Sequence, residues 1–343
     1  MQSSKVVSFC VIGAGRAGAV HARNLRTRIK NAELMAIVDS QIDVATKLAE
    51  EVGIKAVYQD LTTALKRSEF DAVIITTPTF THSSLTIEAA EADKHVFCEK
   101  PIALTLEEAD KMISATERHG VKLQIGFMRR FDPEFSAAKR LIYNGEIGKP
   151  ILVKSVGRGP GLPPPWALDP KTGLGFLAEV NSHDFDTLRW LMGDEFASIH
   201  AEVSALIRPD LRATYPSFYD VAAVVARFEG GGLGVLDGAC PVGYGYDARA
   251  EVLGTEGVIV IGEIKGTTLI RTYKDMRVVT ESFRSWRDRF RDGYVNEIEH
   301  FADCIIHDRE PAVKGLDGRK ALEAVLAAHK SVETGRPVTL PLG

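Results

Sequence analysis

The stretch Val6-Val7-Ser8-Phe9-Cys10-Val11-Ile12-Gly13-Ala14-Gly15-Arg16-Ala17-Gly18 decides the fold. Its first seven residues are nearly all apolar, many are β-branched, and glycines end the run. A short run of this kind reads as a strand buried in a parallel sheet. Gly13 to Gly18 then fits GxGxxG between that strand and a helix predicted over about Arg16 to Ile29, the setting in which the motif carries meaning. Gly13 permits a tight turn, Gly15 lets the backbone approach a pyrophosphate, and Gly18 lets the helix pack closely on the strand. Arg16 and Ala17 open the helix, whose N–H groups and positive dipole end suit an anion. Arg16 itself is either a pyrophosphate contact or a surface cation.

Working outward, Leu34 to Val38 is a second apolar strand, and Asp39 ends it about 20 residues beyond the glycines, where a carboxylate meets a ribose 2′-hydroxyl. The same carboxylate repels a 2′-phosphate, and Ser40 and Gln41 supply no arginine to receive one. The pattern therefore favours NAD over NADP. Helices over about Val44 to Val52, Thr86 to Ala92 and Leu106 to His119 alternate with strands Ala72 to Thr76, His95 to Cys98 and Lys122 to Gly126. Such alternation implies βαβ units with helices on both faces of a parallel sheet. The first domain is expected over residues 1–125.

Residues 126–343 change character. Glu134 to Tyr143 reads as a helix and Pro150 to Gly157 as a strand. A Gly- and Pro-rich loop follows at 157–175, and a loop of that length is commonly functional. Phe176 to Met192 is predicted as one helix. Ser198 to Leu206, Val221 to Phe228, Gly234 to Gly238, Ala248 to Gly254, Val258 to Ile261 and Thr268 to Tyr273 alternate with period two, which predicts an open, mainly antiparallel sheet. Helices over about Tyr294 to Ile306 and Gly318 to Glu333 close the chain.

Composition bounds the function. The 343 residues are 45% hydrophobic and 26% charged, with a formal net charge of −4. That length suits two domains. Mixed charge excludes a nucleic-acid footprint or a polybasic membrane segment. Cys10, Cys98, Cys240 and Cys304 form no CxxC pair, which argues against a zinc ribbon or disulfide scaffold and suits a reducing compartment. Met1-Gln2-Ser3-Ser4-Lys5 leads straight into the first strand without an apolar core, so no signal peptide is expected. No apolar run is long enough to span a bilayer. A cytoplasmic location is the expectation.

Ile75-Thr76-Thr77-Pro78, with His82, and His95-Val96-Phe97-Cys98-Glu99-Lys100-Pro101 follow the glycine loop. Lys100 falls at the carboxyl end of a strand, where open parallel sheets bind ligands. With GAGRAG, Asp39, TTPTFTH, HVFCEKP, GFMRRFDPEF and Glu179 to Trp190, the chain resembles the glucose–fructose oxidoreductase/inositol dehydrogenase (Gfo/Idh/MocA) family. GYDARAEVLGTEG and WRDRFRDGYVNEIEHF are similar to its inositol dehydrogenase branch. The resemblance implies a two-domain dehydrogenase, often tetrameric and assembling through its C-terminal sheet. It also implies that Lys100 is catalytic, that His183 is the general acid/base, that Thr77, Pro78 and Glu99 lie on the nicotinamide side, and that His82 is among the cofactor-binding residues. The family's Asp-x-x-x-His pair stands here as Glu179-Val180-Asn181-Ser182-His183, one methylene longer at its first position. On a single helix those two side chains share a face, and Glu179 orients His183 or binds a hydroxyl.

The implied activity is oxidation of a secondary hydroxyl of a cyclic polyol or sugar, such as myo- or scyllo-inositol, with hydride passing to NAD. His183 titrates near neutrality, and a Lys100 cation stabilises an alkoxide. Arg129, Arg158, Trp166 and Tyr246 are substrate candidates, with Asp247 and Tyr294 behind them. Each has a packing alternative: Arg129 as an ion-paired arginine, Trp166 as a loop anchor rather than a platform for a sugar ring, Tyr246 as strand packing. Competing readings are a glycoside 3-dehydrogenase or anhydrosugar dehydrogenase of the same family, a metal enzyme using Glu179, His183 and Asp186, and a non-catalytic NAD sensor. No metal is expected.

Overall fold

Apolar β-branched runs bounded by glycine or acidic residues become the strands Val7–Ile12 (β1), Ala32–Val38 (β2), Ala56–Tyr58 (β3), Ala72–Ile75 (β4), His95–Glu99 (β5) and Leu123–Gly126 (β6) in a computed structural model of the protein, which describes residues 5–343. Residues 1–4 of the segment read as lacking a leader lie outside the described residues. The six strands form one parallel sheet in the order β3-β2-β1-β4-β5-β6. The order reverses between β1 and β4, the point at which doubly wound sheets bind ligands. Helices Arg16–Thr27 (α1), Ile42–Val52 (α2), Leu61–Arg67 (α3), His82–Glu91 (α4) and Leu106–Arg118 (α5) connect them. β3 and α3 escape the sequence reading because three and seven residues are too few to display a period. The last of these helices, α5, starts at a capping box. Thr105 accepts from the Glu108 N–H, and the Glu108 carboxylate accepts from the Thr105 N–H, satisfying two donors a helix start otherwise leaves open.

Two compact units make up the chain. Among the described residues, one holds those up to 131 together with 292–322, the other 132–291 and 323–343. A cut at residue 125 therefore omits a later segment from the first unit. In the second unit, Pro133–Tyr143 (α6) precedes Pro150–Arg158 (β7), Pro165–Leu168 (α7), Gly175–Glu179 (α8) and Ser182–Met192 (α9). Phe196–Ser204 (β8), Val221–Phe228 (β9), Leu233–Ala239 (β10), Asp247–Gly254 (β11) and Val258–Ile261 (β12) follow. Arg271–Thr272 (β13), Val278–Val279 (β14), Trp286–Arg289 (α10) and Val338–Thr339 (β15) complete it. Arg291–Ile306 (α11) and the start of Gly315–Thr334 (α12) return to the first unit. The reason is the spacing in α11. Val295, Ile298, Phe301 and Ala302 recur on one face and pack with Phe9 and Phe97, the Phe301 ring lying 6.2 Å from each.

The second unit's seven-stranded sheet runs β12-β11-β7-β10-β9-β8-β15. All its pairs are antiparallel except β7 with β10. Two expectations need correction. The segment predicted as a strand over Thr268 to Tyr273 contributes only β13, which pairs with β14 in a separate hairpin. Its residues are solvent-exposed, so no buried face recruits them to the sheet. The helix predicted over Phe176 to Met192 is broken at Val180–Asn181. Asn181 is fully buried and donates to the Gly157 carbonyl of β7 at 3.3 Å and to the Asp184 carboxylate at 2.8 Å. These side-chain bonds fix a backbone turn that an uninterrupted helix does not allow.

Candidate active site

In the first unit the glycines behave as three separate devices. Gly13 sits at φ +99°, a region closed to most side chains, and its N–H donates to the Val38 carbonyl at 2.7 Å. A Cβ on Gly18 would stand 1.8 Å from the Gly13 carbonyl oxygen, so only glycine lets α1 approach β1 this closely. A Cβ on Gly15 would meet nothing within 4 Å. Gly15 is exposed, it caps α1 without a side-chain bond, and Arg16 beside it is exposed as well. That open helix start is a cradle for a pyrophosphate.

Asp39 is held in place rather than left in solvent. Its carboxylate accepts from the Ala14 N–H at 2.8 Å and the Gln41 N–H at 2.9 Å, tying the end of β2 to the glycine loop. Carboxylate oxygens have further lone pairs for a ribose hydroxyl. Cradle and carboxylate together fit NAD.

The loop after β4 carries Thr76, Thr77 and Pro78. The Thr76 hydroxyl donates to the Gly13 carbonyl at 2.8 Å, and Thr77 and Pro78 are half-buried. His82 and Glu99 sit deeper than a cofactor contact requires. His82 is 1% exposed, with its ring nitrogens 2.8 Å from the Pro101 carbonyl and 2.9 Å from the Thr77 carbonyl. Burial pulls its imidazole below the ordinary range, against the two carbonyls. It therefore clamps the β4 and β5 loops together and presents no nitrogen to a ligand. Glu99 points inward, its Oε1 2.9 Å from His21 Nε2, and its other oxygen accepts from the Lys100 N–H at 3.3 Å. Lys100 is half-buried just past the end of β5. Arg129 belongs to this unit and is 2% exposed, too enclosed to be an open substrate contact. Tyr294 is 6% exposed, its ring 5.6 Å from that of His21.

In the second unit, Glu179 ends α8 and His183 lies in the first turn of α9. They do not share one helical face as an unbroken helix implies; the Val180–Asn181 turn separates them. His183 is 6% exposed and Glu179 half-buried. The α9 helix is keyed into the sheet beneath it. Ser155 on β7 donates to Asp184 at 2.6 Å, while Gly157 and its paired neighbour Gly238 leave the space that Asn181 and Asp184 fill. Arg158 alternates to the opposite face of the sheet, where it pairs with Asp237 on β10 and donates to the Tyr244 hydroxyl at 3.3 Å. That placement removes it from the α9 side and corrects its reading as a substrate residue. Trp166 is half-buried on α7, and the Thr172 hydroxyl donates to its carbonyl at 2.7 Å. Tyr246 lies half-buried just before β11, its ring 6.2 Å from Phe290. Asp247 is fully buried and bound by Arg249 at 2.6 Å. The Asp186 carboxyl named for a metal reading is 1% exposed.

The profile of an oxidoreductase family with an NAD-binding Rossmann fold matches residues 7–127, and that of the GFO/IDH/MocA C-terminal domain matches residues 135–260. The chain belongs to the GFO/IDH/MocA oxidoreductase family. A Thermotoga maritima relative, a myo-inositol 2-dehydrogenase, is 38% identical over 96% of this chain and 97% of its own. A Bacillus subtilis relative, a scyllo-inositol 2-dehydrogenase (NAD(+)), is 37% identical over 97% of this chain and 96% of its own. The crystal structure of a Lactobacillus casei myo-inositol dehydrogenase in complex with NAD(H) and myo-inositol superposes with a TM-score of 0.86 at 25% identity, covering 98% of both chains. As a GFO/IDH/MocA member the protein is an NAD-dependent oxidoreductase acting on a CH–OH group. Among the described residues no helix is long and apolar enough to cross a membrane.

Proposed function

We propose that this protein oxidises a ring secondary hydroxyl of an inositol to the ketone, with myo- and scyllo-inositol as the first candidates. The observation that carries the cofactor half of the reading is the contrast within the glycine loop: space at Gly15 for a ligand, none at Gly18 for a methyl group. The inositol substrate class is supported by relatives that match over nearly their whole length.

When bound, NAD supplies the hydride acceptor. The chain supplies position and charge. Gly15 and the N–H groups of α1 hold the pyrophosphate, with Arg16 and Ala17 beside it, and Asp39 accepts from the ribose hydroxyl. Thr77 and Pro78 border the nicotinamide. His183 takes the hydroxyl proton of the substrate and returns it in reduction. The Lys100 ammonium stabilises the alkoxide that remains and shares in the proton's transfer. Glu179 binds a neighbouring substrate hydroxyl, a role that suits a side chain ending its own helix better than orientation of His183. Trp166 and Tyr246 border the sugar ring.

The family pattern has aspartate where Glu179 stands, and the loop at 157–175 is rich in Gly and Pro. These two features favour a second reading, a sugar or glycoside dehydrogenase acting on larger substrates. An NADH-formation screen over inositols, hexoses, anhydrosugars and glycosides separates the two. Turnover of inositols supports the first reading, and turnover of glycosides alone overturns it. We also propose a cytoplasmic homo-oligomer. The face of the second unit's sheet away from α9 exposes Val225, Leu233, Leu253, Val258 and Val260 beside the ion pairs Arg158–Asp237 and Lys154–Glu251, a mixed surface suited to a second copy.

A further inference from the structure

The first unit contains a buried polar cluster that the proposed reaction does not use. His21 from α1, Glu99 from β5 and Glu297 from α11 bring one nitrogen and two carboxylate oxygens within 4.8 Å of one another. His21 and Glu297 are fully buried and Glu99 is 7% exposed. His21 Nε2 lies 2.9 Å from Glu99 Oε1, a hydrogen-bond distance. Neither carboxyl oxygen of Glu297 has a hydrogen-bond partner among the described residues. Rings of Phe97 and Tyr294 stand edge-on to His21 at 5.3 and 5.6 Å. From β6, Gln124 donates to the Glu297 backbone carbonyl at 2.8 Å, which anchors this turn of α11.

An ionised carboxylate here would be a second negative charge beside Glu99, desolvated and without a donor. Isolated buried charges cost so much that the group neutralises instead. We infer that the Glu297 carboxyl keeps its proton at neutral pH, and that this neutral acid with His21 and Glu99 forms one buried unit that positions Lys100. The cluster then carries a single carboxylate, on Glu99, whose second oxygen accepts from the Lys100 N–H at 3.3 Å. Burial, and after it the negative charge of Glu99, push the Glu297 carboxyl well above the usual carboxylate range, in agreement with this arrangement. Glu297 is a positioning residue: it acts through Glu99 on the backbone that carries Lys100. This inference rests on Lys100 serving the reaction, but the proton on Glu297 does not.

Two substitutions test it. Glu297→Gln keeps a neutral donor of the same shape, and Glu297→Leu removes the donor. Infrared difference spectra of the whole protein should show the C=O stretch of a buried protonated carboxyl, lost in the Gln variant. Steady-state kinetics should show kcat for the Leu variant about tenfold lower, the order of one polar interaction with a charged group, because an apolar side chain then replaces the polar one within 4.8 Å of the Glu99 carboxylate, with the KM for NAD unchanged. The Gln variant should return to within about threefold of the parent, because it keeps a neutral polar group of the same shape beside Glu99. Absence of the protonated band, or a stoichiometric divalent cation that copurifies and is lost in the Gln variant, overturns the proton assignment. A Leu variant as active as the parent overturns the positioning role, and so does a Gln variant as impaired as the Leu one. Should the Leu variant fail to fold, the spectrum and kinetics of the Gln variant still decide. Should Lys100→Ala prove fully active, the infrared band is unaffected, so the two assignments fail separately.

Discussion

Adding one methyl group at Gly18 and one at Gly15 should produce opposite defects. The Gly18→Ala Cβ would lie 1.8 Å from the Gly13 carbonyl oxygen and 2.7 Å from the Thr76 hydroxyl. Reaching even a 3.0 Å contact requires a displacement of about 1.2 Å, the difference between 3.0 and 1.8. The obstacle is backbone, so no side chain can swing aside. Overpacking of this kind costs about 1–3 kcal/mol, occasionally more. Since the turn at Gly13 is also fixed by bonds to Val38 and Thr76, we take about 3 kcal/mol. At about 2–4 °C per kcal/mol for a domain of this size, Tm should fall by about 6–12 °C. Gly15→Ala meets nothing within 4 Å, so its Tm without cofactor should match the parent's. Its Kd for NAD should rise at least about tenfold, because the methyl group occupies the approach to the pyrophosphate. Differential scanning calorimetry without NAD, with calorimetric titration of NAD, reads both effects. A Gly15→Ala protein that binds NAD as the parent does would refute the cradle. A Gly18→Ala protein with unchanged Tm would refute the packing argument.

Lys100→Ala should lower kcat by about 100-fold or more, as loss of a charge-stabilising group does, with NAD binding retained by calorimetry; normal turnover would remove Lys100 from the reaction. Asp39→Ala should narrow the NAD over NADP preference in kcat/KM by about tenfold or more through loss of the ribose contact and the repulsion, and an unmoved ratio would reassign the carboxylate to loop structure alone. His329 should contribute to acid stability. Burial lowers its imidazole to about 4, and its Nε2 lies 3.1 Å from the Tyr219 hydroxyl. An unfolded histidine titrates near 6.5, so between about pH 4 and 6.5 the unfolded chain binds more protons and stability rises with pH. The contribution is fully present above pH 6.5 and lost as pH falls through 4. It amounts to at most about 3 kcal/mol, and nearer about 2 because the residue is only half-buried. Urea midpoints for His329→Gln should show a shallower fall across that window; an unchanged slope would exclude His329 as the cause.

Local sequence was legible where a single segment contains the whole device. Gly13 and Gly18 of GAGRAG show the turn and the close packing that their places in the motif assign, and Gly15 is left open, because turn, helix start and strand end are contiguous. Asp39 was legible for the same reason: it ends the strand paired beside β1. The break at Val180–Asn181 was not, since residues 176–192 offer a continuous helical pattern and the interruption comes from bonds to β7. His82 and Glu99 were placed correctly along the chain, yet their burial depends on Pro101 and His21, which only the folded sheet brings near. Arg158 misled because strand alternation fixes its side of the sheet, and the resemblance gave no register. His21 and Glu297 went unnoticed altogether. Their one sequence signal is a histidine three residues past the last motif glycine and a glutamate on a helix near the other end of the chain, and neither means anything alone.

The two facing glycines at positions 157 and 238 act like a keyway, with Asn181 and Asp184 as the key. The placement of the imidazole on α9 is thereby referenced to main chain, not to the neighbouring loop. Anyone reshaping substrate scope can then diversify residues 160–172 while leaving that datum untouched, whereas any side chain added at either glycine would unseat it.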